Sequence, residues 1–279
     1  MKSQQSSFKG ESMGVTVQKE TTINPITLMG YEAGVCWGAK ALGNPEKDYA
    51  RGLDCLQSGH MRTAEYPQVY LVLEGYSARV IRELYTHIGG SPTRLQASTR
   101  YIDYKNFEYI IPPSIQKNAG ATLIYTSAMD DIQNALSNLE ALGMPKEDIA
   151  NLLPLGMTTK VVLRTNLRNL IDMAHQRLCV RAYWEFRFLM QEILDALSAY
   201  SDEWEILIKD LKVFKPKCEV CGFCEEKNTC KRFPRKEVVD KYIDICKNIQ
   251  NTKEEFKDFF ERLEPSKIKD ILNTLIDKD

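Results

Sequence analysis

No stretch of about 18 uninterrupted apolar residues occurs in the chain, so the sequence offers no membrane-spanning helix. Charge of one sign is also lacking. Against 37 Lys and Arg stand 38 Asp and Glu, a formal net charge of −1. That balance gives the whole chain no general attraction to nucleic acid or to an anionic membrane, so any anion binding must come from local clusters. The segment Met1 to Gly10 lacks the apolar core of a signal peptide. The expectation is a polar tail over residues 1–24 and a cytoplasmic protein. Internal repeats and low-complexity tracts are absent. What remains, 43% apolar and 27% charged over 279 residues, is ordinary for a globular chain. The length suits one large domain with a small appendage, or two domains.

Local patterning predicts an α+β fold, a sheet flanked by long helices. Tyr66 to Gly75 is rich in β-branched and aromatic residues and reads as a strand. Ser77 to Ile88 has helical spacing, with Val80, Ile81, Leu84 and Ile88 on one face and Ser77 placed as N-cap. A second strand is expected near Tyr101 to Ile111, stopped by Pro112 and Pro113. Helices are expected over Ala128 to Leu142, Pro145 to Leu153, Asn166 to Arg177 and Ala182 to Tyr200, with a strand at Met157 to Arg164. After Lys215 the composition shifts. A cysteine-rich segment (213–234) precedes a Lys/Glu-dense extension (235–279) that reads as two amphipathic helices divided at Pro265.

Three polar constellations interrupt this pattern. The first, Gly59 to Glu65, sets His60, Thr63 and Glu65 just before a strand; alone it could equally be a polar loop. The second, His87 to Tyr101, combines Gly89 and Gly90 with Ser91, Arg94, Gln96, Ser98 and Arg100. Glycines let a backbone approach a ligand closely, and arginine offers fixed-charge planar donors that suit phosphate. That loop points to a phosphate-bearing ligand. The third, around residues 164–185, crowds Arg164, Arg168, Arg177 and Arg181 onto two successive helical segments with only Asp172 and Glu185 as acids. Asp172 and His175 could be ligand contacts or polar residues satisfied within the core.

In order and spacing these constellations resemble the flavin-dependent thymidylate synthases over residues 25–212. The pattern is carried by Gly59, His60, Thr63 and Glu65, then His87, then Ser98-Thr99-Arg100-Tyr101. Leu153-Pro154, Asn166, Arg168, Arg177 and the pair Trp184-Glu185 complete it. The resemblance implies that NADPH reduces bound FAD and that methylenetetrahydrofolate gives its one-carbon unit to C5 of dUMP. No cysteine nucleophile is required. It implies that Ser98, Arg100, Glu83 and Gln96 serve the nucleotide, and that Arg177 binds and polarises the pyrimidine as the catalytic residue. His60, Thr63, His87 and Asn166 would serve FAD, and Ser91, Arg94, Arg168 and Asp172 are assigned to the same cofactor from their place in the second and third constellations. It further implies a homotetramer with active sites between subunits.

The chain departs from the family pattern at several positions. The R-H-R triplet is Thr86-His87-Ile88 here, and nine residues rather than seven separate it from Ser98. The family's glutamine and glutamate are exchanged at Glu83 and Gln96, and an arginine is replaced by Ala150. Two alternatives therefore stand beside thymidylate synthesis. One is the same scaffold acting on another pyrimidine nucleotide or adding a hydroxymethyl group. The other is a non-catalytic, metal-stabilised binding module, although its basic cysteine segment lacks the aromatic interleaving that suits base stacking.

Of eight cysteines, Cys36, Cys55 and Cys179 read as small buried apolar residues. Cys218, Cys221, Cys224 and Cys230 are close enough in sequence for four thiolates to meet around zinc or an iron–sulfur cluster. The other reading is a loop with reduced thiols. Some members of the resembling family have three cysteines spaced as Cys218, Cys224 and Cys230, which leaves Cys221 outside that pattern.

Overall fold

The computed structural model describes residues 13–251 apart from Trp37 and residues 39–42. The expected helix division at Pro265 and residues 1–12 of the expected N-terminal tail lie outside the described residues; the rest of that segment is not a tail, because Gly14–Val17 forms a strand paired with residues 71–74. The chain divides into two units, Met1–Pro216 and Lys217–Asp279.

The first unit is built on a four-stranded antiparallel sheet in the order β1-β2-β4-β3. In chain order its elements begin with β1 (Gly14–Val17), α1 (Pro25–Cys36), α2 (Pro45–Gln57) and a short 3-10 turn (Met61–Glu65). Then come β2 (Gln68–Ser77), α3 (Ala78–Leu84), β3 (Thr93–Gln96), α4 (Pro113–Gln116), α5 (Ala119–Ala141) and α6 (Lys146–Ile149). The last are β4 (Thr158–Asn166), α7 (Leu167–Arg177), α8 (Trp184–Ser198) and α9 (Asp202–Glu205), which runs into a π-helical turn (Ile206–Asp210).

Strand alternation sets the core. On β2, Val69, Leu71 and Leu73 are buried and pair with Thr165, Leu163 and Val161 of β4. A bulge between Leu73 and Tyr76, where Gly75 adopts φ +74°, adds one residue to β2. It thereby turns Tyr76 inward and brings Ser77 to the head of α3. Ile26 and Met29 of α1, Leu170 of α7 and Phe186, Leu189 and Ile193 of α8 close over this face. Each such side chain stabilises the fold by about 1.5–3 kcal/mol. A smaller core gathers Phe107, Met129, Leu136, Ile149 and Met157 beneath α5.

Several boundaries differ from expectation for identifiable reasons. Tyr101 to Ile111 is not a strand and contributes only a bridge between Tyr109 and Met157. Asp103 instead accepts the Lys105 N–H at 3.0 Å and the Phe107 N–H turns back to the Tyr104 carbonyl, so side-chain turn chemistry competes with the ladder. One edge strand of the sheet, β3, lies instead inside the loop read as polar. Helix α5 starts at Ala119, capped by Asn118, rather than at Ala128. Helix α3 ends at Leu84 rather than near Ile88. Cys55 is buried as expected, but Cys36 is exposed and Cys179 only half-buried.

The second unit carries α10 (Lys217–Cys221) and α11 (Lys236–Asn251), joined by a loop in which the Cys224 N–H donates to the Pro234 carbonyl at 2.8 Å.

Candidate functional site

Arg177, at the end of α7, is held by the last turn of α3 and the segment that follows it. Its Nε–H donates to His87 Nε2 at 2.9 Å, and a terminal nitrogen donates to Glu83 Oε2 at 2.7 Å. The guanidinium lies 4.5 Å over the Phe186 ring, which His87 meets edge-on at 5.7 Å. Phe186 is therefore the platform beneath Arg177 and His87, and Glu83 joins them through the guanidinium. His87 is 6% exposed. Burial, then the charges of Arg177 and Arg94, lower its pKa to about 4. It is thus a neutral imidazole at neutral pH, accepting through Nε2.

The loop after His87 is folded back onto the sheet. Arg94, from β3, donates to the His87 carbonyl and stacks 5.1 Å from the Tyr85 ring centroid, while its Nε is buried without a partner. Arg164, from β4, donates to the Ser91 carbonyl at 3.1 Å and to the Thr93 hydroxyl at 3.2 Å. Ser91 itself adopts φ +49°. The glycines have a steric reason. A Cβ at Gly90 would lie 2.1 Å from Asn166 Nδ2, and one at Gly89 would lie 2.8 Å from Asn169 Oδ1.

Asn166 caps α7 by accepting the Asn169 N–H at 2.8 Å, and the Asn169 amide donates to Thr165 at 2.7 Å. Arg168 pairs with Glu65 at 2.6 Å, which draws the first constellation against α7. Gly89, Gly90, Asn166, Arg168, Asn169 and Asp172, together with Glu65, line an open cavity of about 270 Å³. All three constellations thus contribute to one cavity. Its donor set fits a phosphorylated cofactor such as FAD: glycine backbone, two amides and a cation for anionic or polar edges, and two carboxylates for hydroxyls. Thr63 is buried and donates to the His60 carbonyl at 2.9 Å, shaping the 3-10 turn, whereas His60 is exposed.

Other expected residues make their contacts elsewhere and do not line this cavity. Ser98 and Arg100 form a turn in which the Ser98 hydroxyl accepts the Arg100 N–H at 3.2 Å, and Arg100 pairs with Glu147 at 2.9 Å. Gln96 donates to Thr159 at 3.4 Å. The exchanged residues Glu83 and Gln96 are therefore not contact partners.

The described geometry lends the four-thiolate expectation no support. Among the described residues no group of three or more His, Cys, Asp or Glu side chains is arranged to hold a metal ion. Cys221 Sγ lies 3.2 Å from the Phe223 carbonyl and Cys230 is exposed. Cys218 and Cys221 lie on the short helix α10, and Cys224 and Cys230 on the loop beyond it.

Sequence reasoning missed Asn169, Phe186 and the bond network of Glu185. Asn169 follows Asn166 by the three residues of a capping pair, a usable signal. Phe186 looked like any core aromatic.

A family model described as thymidylate synthase complementing protein matches residues 20–200. The flavin-dependent thymidylate synthase of Nitratidesulfovibrio vulgaris is 31% identical over 206 residues, covering 68% of this chain and 78% of its own. That of Clostridium tetani is 29% identical over 242 residues, covering 78% and 94%. Among solved structures, thymidylate synthase X from Helicobacter pylori with FAD and dUMP aligns at TM-score 0.55 over 71% of this chain and 100% of that one. At 18% identity, this last likeness is one of fold. With the family model spanning most of the first unit and the arginine, histidine and asparagine positions gathered as described, the chain belongs to the flavin-dependent thymidylate synthase family.

Proposed function

We propose that the protein converts dUMP to dTMP, with methylenetetrahydrofolate as carbon donor and NADPH as reductant of a bound FAD. The observation that carries this reading is the shared cavity, where residues from three separated sequence segments meet beside the Arg177–His87–Glu83 cluster. When bound, reduced flavin supplies the hydride that completes the methyl group. The chain's own residues bind and orient. Asn166, Arg168 and Asp172 would hold FAD, with Gly89 and Gly90 admitting it closely and Thr63, His60, His87, Ser91 and Arg94 framing that side. Arg177 would hold the pyrimidine and stabilise negative charge developing on the ring as C5 becomes nucleophilic. Ser98 and Arg100 would take the nucleotide phosphate. Glu83 neutralises Arg177 until substrate arrives, and Gln96 offers a neutral contact. Because Arg100 is paired with Glu147 while Arg177 is paired with Glu83 and His87, a homotetramer with sites shared between subunits fits this division.

Anaerobic incubation with FAD, NADPH, methylenetetrahydrofolate and dUMP, followed by mass analysis of the nucleotide, tests the reading. The expected product carries one added methyl group. An unmodified nucleotide, or one bearing hydroxymethyl, would overturn it. Arg177→Ala should lower turnover by roughly 10²–10³-fold while FAD stays bound. Unchanged turnover would remove Arg177 from the catalytic role.

A further inference from the structure

Glu185 is 0% exposed, and both of its carboxylate oxygens are taken by one residue. The Ser77 N–H donates to Oε1 at 2.6 Å and the Ser77 hydroxyl donates to Oε2 at 2.6 Å. The same hydroxyl accepts the Val80 N–H at 3.2 Å, which caps α3. Among the described residues no salt bridge involves Glu185. A buried carboxylate held by neutral donors is costly, and an apolar residue would serve packing alone at lower cost. Its chemistry here is specific, however. Because the Ser77 hydroxyl accepts from Val80, its own hydrogen points toward Glu185, as does the Ser77 N–H. Only a group that accepts at both oxygens satisfies the pair. An amide would set an N–H₂ against one of these donors.

The location of this clamp matters for the site. Ser77 heads α3, whose last turn holds Glu83 and leads to His87. Glu185 sits in the first turn of α8, immediately before Phe186. Arg79, in the first turn of α3, lies 4.5 Å over the Tyr183 ring and reinforces the same seam. We infer that Glu185, through Ser77, is a positioning residue. It fixes α3 in register with α8 so that Glu83 and His87 meet Arg177 over the Phe186 ring. This inference rests on the proposed role of Arg177 in dUMP binding.

The test is a double-mutant cycle on the full-length, FAD-loaded protein, with dUMP affinity read from the flavin absorbance change. Glu185→Gln should weaken dUMP binding about tenfold in the wild-type background, and change it less than about twofold when Arg177→Ala is already present. FAD content should be unchanged. A contribution to stability alone would not produce that selective loss of effect. Ser77→Ala, which keeps the backbone N–H bond, should repeat the pattern with a smaller change. It also serves as the reading should Glu185→Gln not fold. The inference is overturned if both variants bind dUMP as the wild type does, or if their effects multiply with that of Arg177→Ala. A wild-type protein that binds no dUMP would overturn the proposed function as well, which separates the two failures.

Discussion

At the scale of single residues, His87 links site geometry to stability. In the folded chain burial and two neighbouring guanidinium groups hold its pKa at about 4, whereas an unfolded histidine titrates near 6.5. At pH 7 both states are neutral and the full contribution to stability is present. As pH falls below about 6.5 the unfolded chain takes up a proton that the folded chain refuses, so stability drops until about pH 4 and then levels. The loss amounts to roughly 3 kcal/mol at most. Other groups also titrate in this window, so the informative quantity is the difference between wild type and His87→Asn. Urea midpoints at pH 7 and pH 4.5 should show a steeper acid loss in the wild type. Equal losses would mean that His87 charges freely in the folded protein, which would also undo its role as acceptor for Arg177.

At the scale of elements, the least forgiving contact is the crossing of α1 and α2. A Cβ on Gly52 would lie 1.9 Å from the Ile26 carbonyl oxygen, and one on Gly30 would lie 1.7 Å from that of Asp48. These atoms belong to helix backbone and cannot swing aside. Gly52→Ala should therefore push the helices apart and destabilise the protein by about 1–3 kcal/mol or more, despite alanine's better helix propensity. Chemical denaturation would reveal this as a lower midpoint; an unchanged or raised midpoint would show that the helices separate at no cost. Neither glycine stands out in the sequence, because close approach depends on which helix lies opposite. The paired strands β2 and β4, by contrast, were legible from their alternation, and Asn166 and Ser77 from their capping chemistry. Helix α5 was read short because Leu123 and Ile124, in its first turns, face outward and break the one-sided apolar pattern. The site was legible as three polar constellations. Their meeting was not, since Glu65 and Arg168 are drawn together by tertiary packing rather than by any local signal.

At the scale of the whole molecule, the described chain leaves apolar surface exposed and engages the two arginines proposed for the substrate with separate partners. Leu123 and Ile124 are 70% and 74% exposed on adjacent positions of α5, the kind of apolar surface that further protein covers when it is contiguous. Arg100, proposed for the nucleotide phosphate, instead pairs with Glu147 on an exposed turn, while Arg177 is engaged with Glu83 and His87. If one subunit supplies Arg177 and another supplies Ser98 and Arg100, each arginine is dispensable in one of two chains that share a site. Arg100→Ala and Arg177→Ala homo-oligomers should both be nearly inactive, since every site lacks one arginine. Co-expressed, the two variants should assemble hybrids in which roughly a quarter of sites, by random mixing, contain both arginines. Activity should return to about that fraction of wild type, and light scattering should give a mass several times that of the 32.0 kDa chain. Sites contained within single subunits would leave the mixture as inactive as its parents, because no amount of mixing would bring the two arginines together.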